Sequence, residues 1–248
     1  MTEPLPAADV DVPSGAAAPV DAIILAGGTG ERLGGVSKAD LDLGGRRLLD
    51  LVLDAVAPVR RIVVVAPESV AVPAHVLRTL EDPPGGGPVA GIAAGLAALR
   101  EASIADADVP GAASGAVSSS AADVLILACD MPGAAGVVPV LLRAAEARPG
   151  EADGVIAVGT DGRRQNLAVV ARAGVLERSL ADGGDRDRSV RSLLATLALV
   201  ECEIADAVLG DVDTWEQHAA WQTRLAAPAL RGPGPDPRGR PLRGTADQ

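Results

Sequence analysis

The stretch Ile23-Ile24-Leu25-Ala26-Gly27-Gly28-Thr29-Gly30-Glu31-Arg32-Leu33-Gly34-Gly35-Val36-Ser37-Lys38 decides how the rest of the chain reads. A run of β-favouring apolar residues stops abruptly in glycines, and a guanidinium and an ammonium follow, so the stretch reads as a buried strand feeding a phosphate-cradling loop. Glycines lack Cβ and let backbone N–H groups approach phosphate oxygens, while Arg32 and Lys38 supply the charge that glycine cannot. Gly27, Gly28, Thr29 and Gly30 are therefore the candidate nucleotide-binding turn, with Arg32 and Lys38 as phosphate contacts and candidate catalytic cations. The spacing excludes two other phosphate loops. Leu33 stands where a dinucleotide-binding Gly-x-Gly-x-x-Gly needs its third glycine, and no Gly-Lys-Ser/Thr follows. A glycine-rich turn after a strand is often no more than a turn, and it is the two cations in register that favour a bound anion.

Outward from this stretch, strands and helices alternate. Val20 to Ala26 is the first predicted strand. Ala39-Asp40-Leu41-Asp42-Leu43 alternates like a short strand, and Leu48-Leu49-x-x-Val52-Leu53-x-x-Val56 has helical spacing. Arg61 to Ala66 is a second buried strand, which makes a βαβ unit and a parallel sheet the default. His75 to Leu80 reads as a third short strand. It leads to Glu81-Asp82, the glycine-rich Pro83 to Pro88, and a small-residue helix from Val89 to Leu99. The N-terminus of that helix, around Gly91, either meets an anion or a base edge with free N–H groups or carries small residues only for close packing on the sheet.

Asp123 to Cys129 is another buried strand, ended by Asp130-Met131-Pro132. An acid at the carboxyl end of a parallel strand lies along the crevice where open α/β sheets bind ligands. A helix over Val137 to Arg148 and strands over Gly154 to Val158 and Leu167 to Val170 come next. Arg163-Arg164-Gln165-Asn166 between them reads as a solvated turn or as an answer to a phosphate on a second substrate, with the turn preferred. Helices are predicted over Ala173 to Leu180 and Val190 to Leu197, separated by a polar loop over Asp182 to Arg188 that could close over a ligand. A last strand falls within Leu197 to Ile204, and a terminal helix through Trp215, Ala219 and Trp221 is N-capped by Thr214. Residues 1–19 read as a disordered leader, 20–225 as one domain, 101–122 as a flexible insert within it, and 226–248 as a disordered tail.

Composition narrows the function. The 248 residues carry a net charge of −11, no Phe or Tyr and only two Trp. That argues against a nucleic-acid partner, which needs a basic stripe or aromatic platforms. No apolar run was expected to reach the roughly 20 residues of a membrane span, and the start lacks the pattern of a signal peptide. A cytoplasmic protein without membrane contact is the expectation. Cys129 and Cys202 lie in apolar strand-like runs and read as buried structural thiols.

Together these features supply a glycine loop with Arg32 and Lys38, a strand-terminal Asp130, and a late Asp211-x-Asp213 pair. Asp130 with Asp213 makes a two-carboxylate cradle for Mg²⁺, Asp211 being the alternative to Asp213. Mg²⁺ accepts one or two carboxylates and fills its octahedron with phosphate and water. Such a site suits in-line attack of an acceptor phosphate on the α-phosphorus of a nucleoside triphosphate. That reaction needs positioning and charge neutralisation more than proton transfer, in keeping with only two histidines, His75 and His218, neither in a motif.

The blocks Leu25-Ala26-Gly27-Gly28-x-Gly30-x-Arg32-Leu33-Gly34-Gly35-x-x-Lys38, Glu81-Asp82 before Gly87-Pro88-Val89-Ala90-Gly91-Ile92, Cys129-Asp130-Met131-Pro132 and Asp211-x-Asp213-Thr214 resemble the molybdenum cofactor nucleotidyltransferases, especially the guanylyltransferases. The resemblance implies a single Rossmann-like α/β domain of three layers with a mostly parallel sheet. It implies a nucleoside triphosphate, GTP favoured, held through Leu25, Ala26 and Gly27, with Lys38 and Arg32 on the phosphates, Asp82 on the base or sugar and Asp130 on Mg²⁺. It also implies molybdopterin or its molybdenum form as the phosphorylated acceptor. Cytidylyl transfer, a sugar phosphate acceptor, and a non-catalytic nucleotide-binding protein are the alternatives. Ser37, Ala66 and Asn166 depart from the family pattern, which carries Asp before the lysine, can carry a polar residue after the second strand, and commonly has proline at the third position.

Overall fold

The computed structural model describes residues 20–28, 33–107 and 123–226. The predicted leader, the tail from 227 and residues 108–122 of the predicted insert lie outside the described residues.

A seven-stranded sheet runs through the centre in the order β3-β2-β1-β4-β6-β5-β7. Its strands are β1 (Val20–Leu25), β2 (Ile62–Val65), β3 (Leu77–Thr79), β4 (Asp123–Ala128), β5 (Gly154–Val158), β6 (Arg164–Arg172) and β7 (Leu199–Glu203). All neighbours pair in parallel except β6, which runs antiparallel to both β4 and β5. Among the described residues the α-helices are α1 (Leu48–Ala55), α2 (Pro88–Ala107), α3 (Ala134–Ala147), α4 (Ala173–Gly183), α5 (Val190–Leu194) and α6 (Trp215–Ala226).

Side-chain alternation along the strands sorts the apolar residues into two cores. Ala22, Ile24, Val64, Leu125, Leu127 and Val170 face α1 and α3, where Leu49, Val52, Val137 and Leu141 meet them. The intervening Ile23, Val63, Val65, Val124, Ile126 and Val169 face α2, α4 and α5 through Ile92, Leu96, Leu176 and Leu193. Both faces of the strands are buried, so they read as continuous apolar runs and the fold has three layers.

A third, smaller core positions the site. Leu33, Leu41, Leu43 and Leu48 pack with Val212 and Trp221. These contacts clamp the segment that carries Lys38 against the segment that carries Asp213, although the two are far apart in sequence.

The sheet's amino edge is fixed by ion pairs. Arg60 donates Nε and Nη2 to Asp21 at 2.9 and 2.6 Å, and Arg148 donates Nη1 and Nη2 to Asp123, both at 2.7 Å. Asp21 and Asp123 are buried, and each carboxylate is met by a bidentate guanidinium.

Several predicted elements shift. Ala39 to Leu43 is no strand: Lys38–Asp40 forms a short 3₁₀ helix, and only Asp42 makes an isolated bridge, to Arg47. Leu41 and Leu43 do share one face, turned into the small core, but among the described residues no neighbouring strand pairs with the segment beyond that single bridge. Residues 101–107, predicted as part of the insert, continue α2, where Arg61 donates to Ser103 Oγ at 2.9 Å and pairs with Asp106. Arg164 to Asn166 belong to β6 rather than to a turn, and Arg164 donates Nε to Glu201 on β7 at 2.8 Å. Cys129 is buried as predicted, but Cys202 is only partly so; among the described residues both thiols are free. Helix α2 is also long and apolar enough to span a bilayer by length and composition, contrary to expectation. Here its Val89, Ile92, Leu96 and Leu99 are spent on the sheet.

Candidate functional site

β1 and β4 are adjacent and parallel, so their carboxyl ends deliver Leu25-Ala26-Gly27-Gly28 and Cys129-Asp130 side by side. The Cys129 N–H donates to Leu25 O at 3.0 Å, which extends the pairing past the strand ends and fixes Asp130 beside the glycine turn. After the turn the chain doubles back through Gly34 and Gly35, with φ of 77° and 81°. Two successive left-handed residues are accessible to glycine and strained for other L-residues. They return Lys38 to the ends of the strands.

Lys38 donates Nζ to Asp130 Oδ2 at 2.7 Å and also to Asp213 Oδ1. Asp213 is held by the cap of α6. The Gln217 Oε1 accepts from the N–H groups of Asp213 and Thr214 at 2.7 and 2.9 Å, while Thr214 Oγ1 accepts from Gln217 N at 3.2 Å. This is a reciprocal capping box, with Thr214 as the N-cap the sequence predicts. Val212 donates its N–H to Asp130 O at 2.9 Å, stitching the two acidic segments together.

Partial burial lowers the Lys38 pKa, but hydrogen bonds and attraction from Asp130 and Asp213 outweigh it and hold the ammonium above its ordinary value. Lys38 is thus a fixed cation, unsuited to act as a base. Asp211 is pushed up, first by burial and then by the charges of Asp213 and Asp130. Two carboxylates thus hold one ammonium, and Asp211 lies near enough to feel the charges of both.

The cleft beside this cluster is a cavity of about 360 Å³ lined by Leu25, Gly27, Gly28, Lys38, Gly91 and Asp130 among others. A Cβ on Gly27 or Gly28 would meet nothing within 4 Å, so packing among the described residues does not require glycine there. The first turn of α2 forms the opposite wall. Gly87, with φ of 86°, turns the chain into Pro88. Proline suits the first helical position, where its missing N–H costs nothing. Gly91 lines the cleft and serves the packing role, since its Cβ would come within 3.2 Å of Leu25 Cδ2, but its N–H is not free for a ligand: it donates to Gly87 O at 3.1 Å. Gly95, one turn on, serves packing alone, since a Cβ there would lie 2.7 Å from Ile23 Cγ2.

Two expected residues lie elsewhere. Ala26 is buried in the α1/α3 core, and its N–H is committed to Val65 O at 2.9 Å. Asp82 lines a neighbouring cavity on the outer face of α2, and Glu81 takes the place in the cleft wall. Glu81 Oε1 accepts from Gly85 N at 3.0 Å. Thr29, Gly30 and Arg32 fall outside the described residues. Val65 and Leu167 line the cleft without having been singled out. The position of Val65 at the end of a parallel strand was a signal for it, whereas Leu167 lies near the start of an antiparallel strand that the sequence does not orient. Neither histidine lines the cleft: His218 Nε2 lies 2.6 Å from Asp42 O, and His75 lines a cavity toward the amino edge.

A family model described as a MobA-like NTP transferase domain matches residues 22–202, from within β1 to within β7. The chain belongs to the MobA-like NTP transferase family. Nucleotidyl transfer is the activity this membership supports, while α6 and Asp213 lie beyond the matched segment. No curated protein matches the sequence of this MobA-like chain. Solved structures share its fold. Molybdopterin-guanine dinucleotide biosynthesis protein A from Archaeoglobus fulgidus is 20% identical, with a TM-score of 0.57 over 83% of this chain and 98% of its own. The 2-C-methyl-D-erythritol 4-phosphate cytidylyltransferase from Thermus thermophilus is 18% identical, with a TM-score of 0.55 over 84% of this chain and 100% of its own. A Mycobacterium tuberculosis protein solved in complex with manganese is 15% identical, with a TM-score of 0.52 over 83% of this chain and 98% of its own.

Proposed function

We propose that this MobA-like protein transfers GMP from GTP to the phosphate of molybdopterin or its molybdenum form, with Mg²⁺ as cofactor. The observation that carries the reading is the convergence of Lys38, Asp130 and Asp213 at the mouth of a glycine-walled cleft. An acceptor phosphate oxygen forms a bond to the α-phosphorus as the bond from that phosphorus to the bridging oxygen breaks, and pyrophosphate leaves. The nucleophile is already ionised at neutral pH, so the step requires no general base. Lys38 neutralises charge on the phosphates, and the glycine turn and the start of α2 align them. Arg32 is the second phosphate cation in this reading.

The donor set fits the metal. Asp130 and Asp213 each bring a carboxylate oxygen to Lys38 Nζ, so two hard oxygen donors stand side by side at the cleft, the donor type and number that Mg²⁺ takes from a protein. Among the described residues no three His, Cys, Asp or Glu side chains form a ready cage, which suits an ion that takes its other ligands from phosphate and water. Bound there, Mg²⁺ would neutralise the triphosphate and its leaving group.

Glu81 supports guanine. An ionised carboxylate only accepts hydrogen bonds, and the Watson–Crick edge of guanine offers adjacent N1–H and N2–H donors. Cytosine presents a single amino donor beside two acceptors. Incubation with each nucleoside triphosphate, Mg²⁺ and molybdopterin tests the reading: pyrophosphate release is expected with GTP, and release with none of them would refute it.

A further inference from the structure

Beyond Leu167 the carboxyl edge of the sheet holds a second cavity, of about 640 Å³, lined by Arg163, Arg164, Asn166, Arg191, Leu194 and Ala195. The β4–β6 register runs through Leu127 opposite Ala168, so Leu167 and Asn166 lie next to the end of β4 that carries Asp130. Leu167 belongs to the nucleotide cleft and Asn166 to this cavity, which makes the two neighbours along one edge. Arg191 arrives from α5, whose Val190, Leu193 and Leu194 are buried against the same face of the sheet.

The charge here is unlike that of the rest of the molecule. The chain carries a net −11, yet every charged residue lining this cavity is an arginine. Arg164 is anchored through Nε to Glu201. Among the described residues, the side chains of Arg163 and Arg191 have no carboxylate partner, as is also true of Arg143 and Arg178, so what sets them apart is the single cavity that they line together with Arg164. Guanidinium forks that line one cavity are suited to bidentate capture of an oxyanion.

We propose that this cavity binds a second anionic group of the acceptor, remote from the phosphate that attacks the nucleotide. The inference rests on the transferase reading, and it adds that the acceptor carries negative charge at two separated places. An acceptor whose only anionic group is the attacking phosphate would leave Arg163 and Arg191 unused. The pair acts by holding the acceptor, not by contacting the reacting phosphorus.

The test uses the full chain with R163A, R191A and the double variant. With GTP and molybdopterin, each single variant is expected to raise the acceptor KM about tenfold and the double variant further, with the KM for GTP unchanged, because one lost charge-assisted contact is worth roughly a factor of ten. An unchanged acceptor KM, or an equal rise for GTP, would overturn the proposal. A second measurement does not depend on turnover. Phenylglyoxal labelling, read by mass spectrometry, should be slowed by inorganic phosphate at Arg163 and Arg191 but not at Arg143, which is exposed on α3. Equal labelling with and without phosphate would overturn the anion site even if the transferase reading held. Protection without pyrophosphate release would keep the anion site and reject the transferase.

Discussion

Lys38 Nζ lies 2.7 Å from Asp130 Oδ2, across 92 positions of sequence, and the same ammonium meets Asp213. Neither partner is brought there by a neighbouring residue. β4 delivers Asp130, the paired glycines return Lys38, and the small core of Leu33, Leu41, Leu43, Leu48, Val212 and Trp221 sets Asp213 against them. The arrangement keeps Lys38 charged and gathers carboxylates where a metal and a triphosphate would meet.

Lys38→Ala should lower the rate of transfer about 10²–10³-fold, the usual cost of removing a charge clamp from a transferring phosphoryl group. Its circular dichroism spectrum should stay native. Lys38→Arg should recover only part of the rate, because a planar fork does not replace a point charge held between two carboxylates. Since both carboxylates raise the Lys38 pKa, its charge persists to higher pH than an ordinary lysine's. The pH profile of kcat/KM for the native protein should therefore show no loss from lysine deprotonation between about pH 9.5 and about pH 11, the range in which an ordinary lysine gives up its proton.

Glu81→Gln tests base choice. Replacing an acceptor-only carboxylate by an amide should reduce the preference for GTP over CTP about tenfold, the order of one charge-assisted hydrogen bond. Competition between the two triphosphates measures it directly. Asp82→Asn, on the neighbouring cavity, should leave the ratio where it was.

Gly95→Val tests packing. The new side chain would be driven into Ile23 from a Cβ already 2.7 Å away, and overpacking of this kind costs roughly 1–3 kcal/mol. A lowered denaturation midpoint with an unchanged m-value is the expected result.

Arg148→Ala separates stability from chemistry. It strands the buried Asp123 at the amino edge of the sheet, opposite the cleft, and breaking such a pair costs about 3–5 kcal/mol. Chemical denaturation should show the loss, while KM for GTP, measured on the folded fraction, should not change.

Much of this was legible from residue order. Continuous apolar runs at Ile23, Val63 and Leu125 announced strands buried on both faces, and Asp130 after such a run announced a ligand edge. What stayed hidden depended on tertiary context. Ala39 to Leu43 alternates like a strand, and Leu41 and Leu43 do share one buried face, but the pattern cannot show that only Asp42 finds a bridge partner or that the core they meet is built by Val212 and Trp221. Glu81 and Asp82 are adjacent acids, and only the turn into α2 decides which of them faces the cleft. Gly133 drew no notice because its constraint is a distant backbone: a Cβ there would lie 2.0 Å from Val208 O. The direction of β6 was equally invisible, so Arg164 and Asn166 read as a turn although they belong to a strand at the working edge.

The most direct measurement is pyrophosphate release by Asp130→Asn in the presence of GTP, Mg²⁺ and acceptor. In the proposed reading Asp130 holds the metal and orders Lys38, so turnover is expected to fall at least about 10²-fold while the protein stays folded. Undiminished turnover by Asp130→Asn would contradict the site.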